Sequence, residues 1–331
     1  MKNIRLIVAI LLIAGKSTPG RAQKNAHPAD QPPVFKNSWI KPPAHTPNDV
    51  SIDGPLMGNG DVTMSVGYGE NGLRYYLSKN DFWRLRSKAD HLSGPRVVGY
   101  LDIHIEGLDH ADFAAEQMIR NGVTICHLRK GDRKVVVKSW VSATENLIFI
   151  ECSTTHQMTP LSVSLSAPDN KQAALKTGKT NNIYWLTRAF ADSVDIPTEV
   201  AVALRILHRR DDTIRVVPGK KLLMVLAVES RFQKAQPLSY VLNRVKELDD
   251  NSIIKLKQDH DHWWDGYWRK SSVTMEDMVL MKAYYQGLYT MAACSRDPKF
   301  PPGIFGWTTT DRPAWNGDYH LNYNFEAPFY G

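Results

Sequence analysis

The chain has 331 residues, of which 43% are hydrophobic and 10% aromatic, and it carries a formal charge of +7. This composition is typical of a globular protein with a sizeable core and excludes a disordered chain. It contains no block of Lys and Arg and no basic helix, so the sequence gives no indication of nucleic-acid binding.

The first 23 residues are typical of a secretory signal peptide. Lys2 and Arg5 precede an apolar run over 6–14, and small residues follow near position 22. The run is too short to span a bilayer as a helix, so we expect cleavage, a secreted or periplasmic protein, and no membrane insertion afterwards. The segment 1–23 holds four basic residues and no acid, so its removal lowers the formal charge from +7 to +3. A Pro-rich leader follows over 24–34.

Strand signals fill the region 35–236. Short alternating or apolar runs such as "DVTMSVGYG", "NLIFIECST" and "KLLMVLAVES" are separated by Gly, Asn and Asp. Regularly spaced short strands of this kind predict a mostly antiparallel β-sandwich. In "GNGDVTMSVGYGENG" there is no Lys-Ser/Thr ending, so its glycines are interpreted as turn residues and not as a phosphate loop.

The pattern changes to helix after Pro237. We predict one helix from Ser239 to about Trp264, within a helical linker over 237–273. A second helix is expected to open at Thr274, with Asp277 three residues on as a capping-box arrangement. The segment 274–331 then begins a further helical domain, for which only 57 residues follow Thr274.

Two features resemble metal or disulfide sites. On a helix, His260 and His262 of "DHDHWW" lie about 200° apart and cannot bind one ion. We therefore interpret this stretch as a solvated helix end with Trp263, Trp264 and Trp268 packing on the neighbouring domain. The three cysteines, Cys126, Cys152 and Cys294, have no metal-ligand spacing. One disulfide remains possible, although Cys126 and Cys152 lie in apolar runs typical of core positions. The sequence implies no metal and no cofactor.

The chain closes on an alternating stretch, "AWNGDYHLNYNFEAPFYG". From Asp318 the polar residues Asp318, His320, Asn322 and Asn324 occupy one register and aromatic or aliphatic residues the other. In an extended backbone this period of two gives one polar face. The pattern alone fits either a solvated edge strand or one wall of a binding site.

Several segments, in this order, resemble family 95 glycoside hydrolases, the inverting α-L-fucosidases and their relatives. The resemblance is carried by "GPLMGNGDVTMSVGYGENGLRYYLSKNDFW", by "VVGYLDIHIEG", and by "YYQGLYTMAACSRDPKFPPGIFGW" with the closing stretch. It implies that 274–331 begins an (α/α)6 toroid that is incomplete here, since six helix pairs need far more than 57 residues. The C-terminal segment also departs from the family pattern, because it has "IFGW" and "FEAPFYG" at positions where the family has other residues.

The resemblance assigns roles to the closing stretch. It implies that Asn322 and Asn324 are catalytic residues that orient the attacking water, that His320 binds the sugar, and that the general acid and the partner Asp lie elsewhere. An amide offers both donors and an acceptor, so two amides on one face can hold water and a sugar hydroxyl. The remaining candidates for substrate binding are Trp307 and Trp315 as stacking surfaces and Asp318 as an anchor.

The expected function is the N-terminal part of an exported glycoside hydrolase that acts with inversion on α-linked sugars such as α-L-fucosides, with an oligosaccharide or polysaccharide as its partner. The chain alone would lack the acid and the base, and would be inactive. The alternatives are a non-catalytic carbohydrate-binding module or inactive remnant, and a relative that performs phosphorolysis.

Overall fold

The fold was analysed in a computed structural model, which describes residues 35–69, 72–86, 93–192, 194–207, 213–319, 321 and 326. The predicted signal peptide (1–23) and leader (24–34) lie outside the described residues, as do His320, Asn322 and Asn324.

Strands make up most of the described residues before position 231. They are β1 Lys36–Trp39, β2 Leu56–Gly58, β3 Val62–Gly69, β4 Gly72–Lys79, β5 Trp83–Arg84, β6 Gly94–Pro95, β7 Gly99–Ile105, β8 Asp112–Met118, β9 Val123–Lys130, β10 Arg133–Val141, β11 Leu147–Thr154, β12 Thr159–Ser166, β13 Ala174–Thr180, β14 Ile183–Phe190, β15 Thr198–Ile206, β16 Ile214–Val216 and β17 Leu222–Ser230. The helices are α1 Pro237–Glu247, α2 Asp250–Trp268 and α3 Met278–Cys294, with a short 3-10 turn at Ala314–Gly317.

Two large antiparallel sheets form the body of the protein. In the described residues, one sheet has the order β1-β8-β9-β10-β11-β17-β15-β14-β13 and the other β16-β12-β7-β4-β3-β2, while β5 and β6 form a small ribbon. The main hydrophobic core draws residues from both large sheets, among them Val66 and Leu101 on one side and Val137 and Ile150 on the other. The mostly antiparallel β-architecture expected from the sequence is thus confirmed, whereas the toroid stays a prediction.

The central strands of the larger sheet are buried on both faces. In β15, Val200 and Val202 point into the core between the sheets, whereas Ala201 and Ala203 point outwards against Val241 of α1. This explains why "EVAVAL" reads as a continuous apolar run and not as an alternating one. The small alanines let α1 approach the sheet closely.

The single helix predicted from Ser239 to Trp264 is in fact two helices. The Nη1 atom of Arg205 donates to the carbonyl oxygens of Val245 (2.8 Å), Lys246 and Leu248 (both 2.9 Å), which satisfies the C-terminal end of α1. Asp249 then begins α2 by accepting a hydrogen bond from the Ser252 backbone N–H at 2.8 Å. Arg205 thus caps the end of α1 and Asp249 caps the start of α2, so the two helices are separate.

The predicted start of α3 at Thr274 is wrong by one turn. Asp277 is the N-cap, and its carboxylate accepts from the backbone N–H groups of Val279 and Leu280 at 2.8 and 3.1 Å. Val273 is held instead by the Tyr285 hydroxyl, which bonds to both its N–H and its carbonyl oxygen. This clamp keeps the chain before Asp277 outside the helix.

The three cysteines are free thiols, and burial raises the pKa of each to about 12. Cys126 on β9 and Cys152 on β11 both pair with Val137 of the intervening strand β10. Two strand spacings separate their backbones by about 10 Å, too far for a disulfide. The disulfide that the sequence left open is therefore absent among these residues, and the core interpretation of Cys126 and Cys152 is confirmed.

Helix α2 buries one stripe of residues at four-residue spacing against the sandwich, namely Leu256, His260, Trp264 and Trp268. The interpretation of this stretch as a solvated helix end is wrong for His260, which is fully buried, and holds for His262, which is exposed. The Nδ1 atom of His260 accepts from the Ala143 backbone N–H at 3.2 Å, and Nε2 faces the Asn121 carbonyl oxygen at 2.6 Å. Since a carbonyl can only accept, these contacts require the neutral imidazole with its proton on Nε2.

This buried imidazole gives a pH prediction. Burial lowers the pKa of His260 to about 4, below the value of about 6.5 for an unfolded chain. Between these two pH values, the unfolded state therefore binds a proton that the folded state does not bind. We expect the free energy of unfolding to fall by about 3 kcal/mol as the pH drops from about 6.5 to about 4. Urea unfolding at pH 7.5 and 4 would measure this loss, and His260→Gln should remove this part of it. An identical loss in the variant would contradict the assignment.

In the described part of the chain, no helix is both long enough and apolar enough to cross a membrane.

Candidate functional site

The glycine turn at residues 58–60 is a docking point for α3. Gly60 has φ +83°, and its N–H donates to the Ala293 carbonyl oxygen at 2.7 Å. A Cβ atom on Gly58 would lie 2.3 Å from the same oxygen. The interpretation as a turn glycine is confirmed for Gly60, whereas Gly58 ends strand β2, and the close approach of α3 explains why side chains are excluded at both positions.

The neighbouring residues Asn80 and Trp83 hold the segment that follows α3. The Asn80 amide donates to the carbonyl oxygens of Gly60 (2.8 Å) and Cys294 (2.9 Å). The Trp83 ring stacks on Tyr319 with a centroid distance of 5.0 Å. These two residues of the quoted motif therefore join the sandwich to the C-terminal segment.

A buried ion pair anchors the same segment further along. Arg188 on β14 is fully buried, and its guanidinium binds both carboxylate oxygens of Asp311, with Nη1 at 2.7 Å from Oδ1 and Nη2 against Oδ2. The Asn170 amide also donates to Asp311 Oδ2 at 2.6 Å, and Arg188 Nη1 donates to the Val97 carbonyl oxygen. A bidentate pair of this kind fixes orientation as well as distance.

This anchoring leaves a polar cleft between the sandwich and the C-terminal segment. Its volume is about 490 Å³, and it is lined by Arg96, Asp169, Asn170, Lys171, Gln172, Asp311, Arg312, Pro313 and Asn316. The volume lies in the range of small-molecule sites. Tyr100 lies near the cleft, where burial, together with the Asp311 charge, raises its pKa to about 12. It is therefore a neutral hydroxyl at ordinary pH.

Trp315 is held next to this cleft in an unusual backbone conformation. Trp315 and Asn316 have φ values of 49° and 58°, in the left-handed region that bulky residues rarely adopt. Trp315 is 61% exposed, and its ring lies 6.4 Å from that of Phe305. Strain of this kind costs on the order of 1–3 kcal/mol per residue and is concentrated at functional sites.

Glycines make room for this turn. A Cβ atom on Gly94 would lie 1.9 Å from the Asn316 carbonyl oxygen, and one on Gly303 would lie 2.0 Å from that of Gly317. Ile304 donates its N–H to the Asp318 carbonyl oxygen at 2.7 Å. Packing of the backbone against these glycines therefore maintains the strained turn.

The predicted site residues lie in different surroundings. Trp307 is partly buried against the cluster formed by α2 and α3, and its ring does not contact that of Trp315 within the described residues. Asp318 is partly buried at the end of the strained turn. Leu321 lies in a turn and Glu326 in a helical position, so the described residues after Asp318 show no strand. The roles predicted for Asn322, Asn324 and His320 stay predictions.

Sequence reasoning missed Arg188, Asp311 and the 169–172 loop. Arg188 and Asp311 are 123 residues apart in the chain. A charged residue inside an apolar strand run, "NIYWLTRAF", was the only signal for the buried arginine.

Comparisons with known proteins give a coarse assignment. No family model matches the chain. A segment of 151 residues, 34% of the chain, is 25% identical to a probable alpha-fucosidase A of Aspergillus niger and corresponds to 19% of that protein's length. The structure is similar to a putative kojibiose phosphorylase from the human microbiome, with a TM-score of 0.60 and 12% identity over 79% of this chain and 42% of that one.

A bacterial glucoamylase complexed with acarbose overlaps more weakly, with a TM-score of 0.41 and 11% identity over 86% of this chain and 49% of that one. The chain thus spans less than half the length of the proteins that it matches. Its fold is glycoside hydrolase-like, and the likeness leaves the substrate undefined.

Proposed function

We propose that this chain is the N-terminal part of an exported glycoside hydrolase that acts with inversion on α-linked sugars such as α-L-fucosides. The observation that carries the proposal is Trp315, an exposed indole held in a strained turn between Pro313 and Asn316, both of which line the polar cleft. A sugar ring needs an aromatic surface for its C–H face and polar groups for its hydroxyls. The sequence similarity to a probable alpha-fucosidase supports the choice of sugar.

The sandwich supports the sugar site in this proposal, and the segment after α3 forms one wall of it. The ion pair between Arg188 and Asp311 and the stacking of Trp83 on Tyr319 fix that segment at both ends of the strained turn. Residues 274–331 would be the first part of an (α/α)6 toroid. Asn322 and Asn324 would orient the attacking water, and His320 would contact the sugar.

Catalysis gives the first test of this proposal. Inversion requires a general acid and a general base, and the proposal assigns neither to this chain. We expect the 331-residue chain to leave an aryl α-L-fucoside intact, because loss of general acid catalysis alone removes about 10²–10⁴-fold in rate. Release of the aryl group by the purified chain at rates typical of enzymes would contradict this expectation.

Positioning by the two amides gives a second prediction, for the whole product of the gene. Asn322→Ala or Asn324→Ala should lower kcat by roughly 10²-fold, because a misplaced water loses its alignment. The Michaelis constant should change much less, since a water held in line acts mainly in the transition state. Steady-state kinetics of both variants would measure this split, with Asn243→Ala, at an exposed position of α1, as the control. Full turnover in both variants would contradict this role and would indicate that the closing stretch is an ordinary solvated segment.

A further inference from the structure

Positive charge exceeds negative charge around the cleft beside Trp315. Three cationic side chains line this cleft, from Arg96, Lys171 and Arg312, against two carboxylates, from Asp169 and Asp311. The fully buried Arg188 lies directly behind Asp311. With Arg188 included, the described surroundings of the cleft carry two more positive than negative charges when all groups are ionised.

The Asp311 carboxylate does not offset the cations of the lining, because its own partners already satisfy it. Oδ1 accepts from Arg188 Nη1 at 2.7 Å, while Oδ2 accepts from Arg188 Nη2 and from the Asn170 amide, the latter at 2.6 Å. Each carboxylate oxygen thus has a donor, and its charge is matched by a guanidinium inside the protein. Apart from this neutral pair, the described lining has one carboxylate, Asp169, against three cations.

Two of these cations are exposed side chains. In the described part of the chain, the side chains of Lys171 and Arg312 form no hydrogen bond or ion pair, either with Asp169 or with any other residue. A single exposed cation is ordinary on a protein surface. Two that line one concave cleft can act on the same ligand, because a cleft lined by one sign of charge concentrates ions of the opposite sign.

The third cation is part of the cleft wall. Arg96 is only 5% exposed, although it lines the cleft. Its Nη1 atom donates to the Pro95 carbonyl oxygen at 2.9 Å. This atom also lies 3.4 Å from the position of a Cβ on Gly94, the glycine that packs against the Asn316 carbonyl. The guanidinium is therefore held next to the strained turn, where its charge acts more strongly on a ligand than a charge in water would.

The fold brings these three cations together from separate stretches of the chain. Arg96 precedes β7, Lys171 follows β12, and Arg312 follows α3. A volume of about 490 Å³ corresponds to a cleft roughly 10 Å across, which is about the screening length at 0.1 M salt. The three positive charges therefore act together on a ligand in the cleft, and an anionic ligand would relieve their mutual repulsion.

We propose that this cleft binds an anionic sugar, one that carries a carboxylate or a sulfate ester, through contacts of its anionic oxygens with Lys171, Arg312 and Arg96. This preference rests on the proposed function, because it defines the class of carbohydrate that the same cleft would bind. The fucosyl oligosaccharides of the proposed function would then be acidic ones. Both anionic groups present oxygens that accept two parallel hydrogen bonds from a guanidinium and single ones from an ammonium. Trp315 keeps its role as the stacking surface.

Calorimetric titration of the 331-residue chain with three ligands tests this preference. The ligands are a neutral α-L-fucosyl oligosaccharide, the same oligosaccharide with a sulfate ester on the fucosyl unit, and the same oligosaccharide with a uronic acid beside that unit. We expect at least one anionic ligand to bind at least about tenfold more tightly than the neutral one, because charge-assisted hydrogen bonds are stronger than neutral ones. The ligand that does so identifies the source of the charge. Raising the ionic strength to about 1 M should reduce the preference, since the screening length falls to about 3 Å.

The outcomes separate this preference from the proposed function. Equal affinity for the neutral and both anionic ligands, or a preference that high salt leaves unchanged, would overturn the anionic preference and leave the sugar site intact. Binding of none of the three ligands would overturn both. Inorganic sulfate is the fourth titrant, and binding of this ion as tight as that of the sulfated oligosaccharide would show ion binding alone and would also overturn the preference.

Variants test which charges are responsible. The double variant Lys171→Gln with Arg312→Gln should lower the ratio of anionic to neutral affinity by at least about tenfold. Both side chains are exposed, so these substitutions should leave the fold intact. Lys134→Gln, at an exposed position of β10, is the matched control and should leave the ratio unchanged. An unchanged ratio in the double variant, or an equal fall in Lys134→Gln, would overturn the assignment of these residues.

Discussion

Replacing Asp311 with alanine is expected to lower the free energy of unfolding by about 3–5 kcal/mol, because it leaves a buried guanidinium without its counter-charge. Arg188 is fully buried and the Asp311 carboxylate is only 10% exposed, so little water reaches the pair. Denaturant unfolding with linear extrapolation would measure the loss.

Two control variants show whether this loss of stability comes from the buried ion pair. Glu116→Ala removes one member of the exposed pair with Lys36, whose side chains are 42% and 37% exposed, and should cost no more than about 1 kcal/mol. The double variant Arg188→Met with Asp311→Leu removes both charges and should recover much of the stability lost in Asp311→Ala. A loss in Asp311→Ala as small as that in Glu116→Ala would contradict the anchoring role of the pair.

Trp264→Ala is the second substitution with a large expected effect, a loss of about 3–5 kcal/mol for a large core aromatic. Trp264 is 1% exposed and stacks on Tyr289 of α3 (5.3 Å) and Trp268 of its own helix (6.0 Å). It also lies against Gly122, where a Cβ would be 3.3 Å from the indole. The cavity would therefore open where the sandwich, α2 and α3 meet.

The location of the amides that exchange faster distinguishes this local effect from general unfolding. Hydrogen exchange should show faster exchange of the α2 and α3 amides in Trp264→Ala, with β15 and β17 little changed, because local openings follow the packing units. Trp185→Ala, at a partly exposed position on β14, should cost about 1 kcal/mol or less. Equal losses in the two tryptophan variants would contradict the role of Trp264.

The β-architecture was predictable because strand patterns depend on local alternation and on turn residues. Helix boundaries were less so, because Thr274 and Asp277 are both good N-cap residues and the choice depends on Tyr285, which holds Val273 outside the helix. In the same way, the break between α1 and α2 depends on Arg205, a residue of β15 that is distant in sequence. Propensity alone would continue the helix through this point.

The candidate site was predictable only in part. Trp315 was predicted as a candidate stacking surface, but its left-handed backbone depends on the close approach of the Asn316 carbonyl to Gly94, more than 200 residues earlier in the chain. The buried pair of Arg188 and Asp311 likewise forms only once the C-terminal segment has folded back on the sandwich. Long-range contacts of this kind leave no periodic signal in a single sequence.

Calorimetric titration of the 331-residue chain with an α-L-fucosyl oligosaccharide tests most directly whether the cleft beside Trp315 binds carbohydrate. We expect saturable binding that Trp315→Ala weakens by at least about tenfold, the loss typical of a dominant aromatic contact. Trp185→Ala should bind as the unaltered chain does, because Trp185 lies three positions from Arg188 on β14 and so on the opposite face of the strand. Equal affinity of the Trp315→Ala variant and the unaltered chain, or no binding of the oligosaccharide at all, would contradict the proposed sugar site.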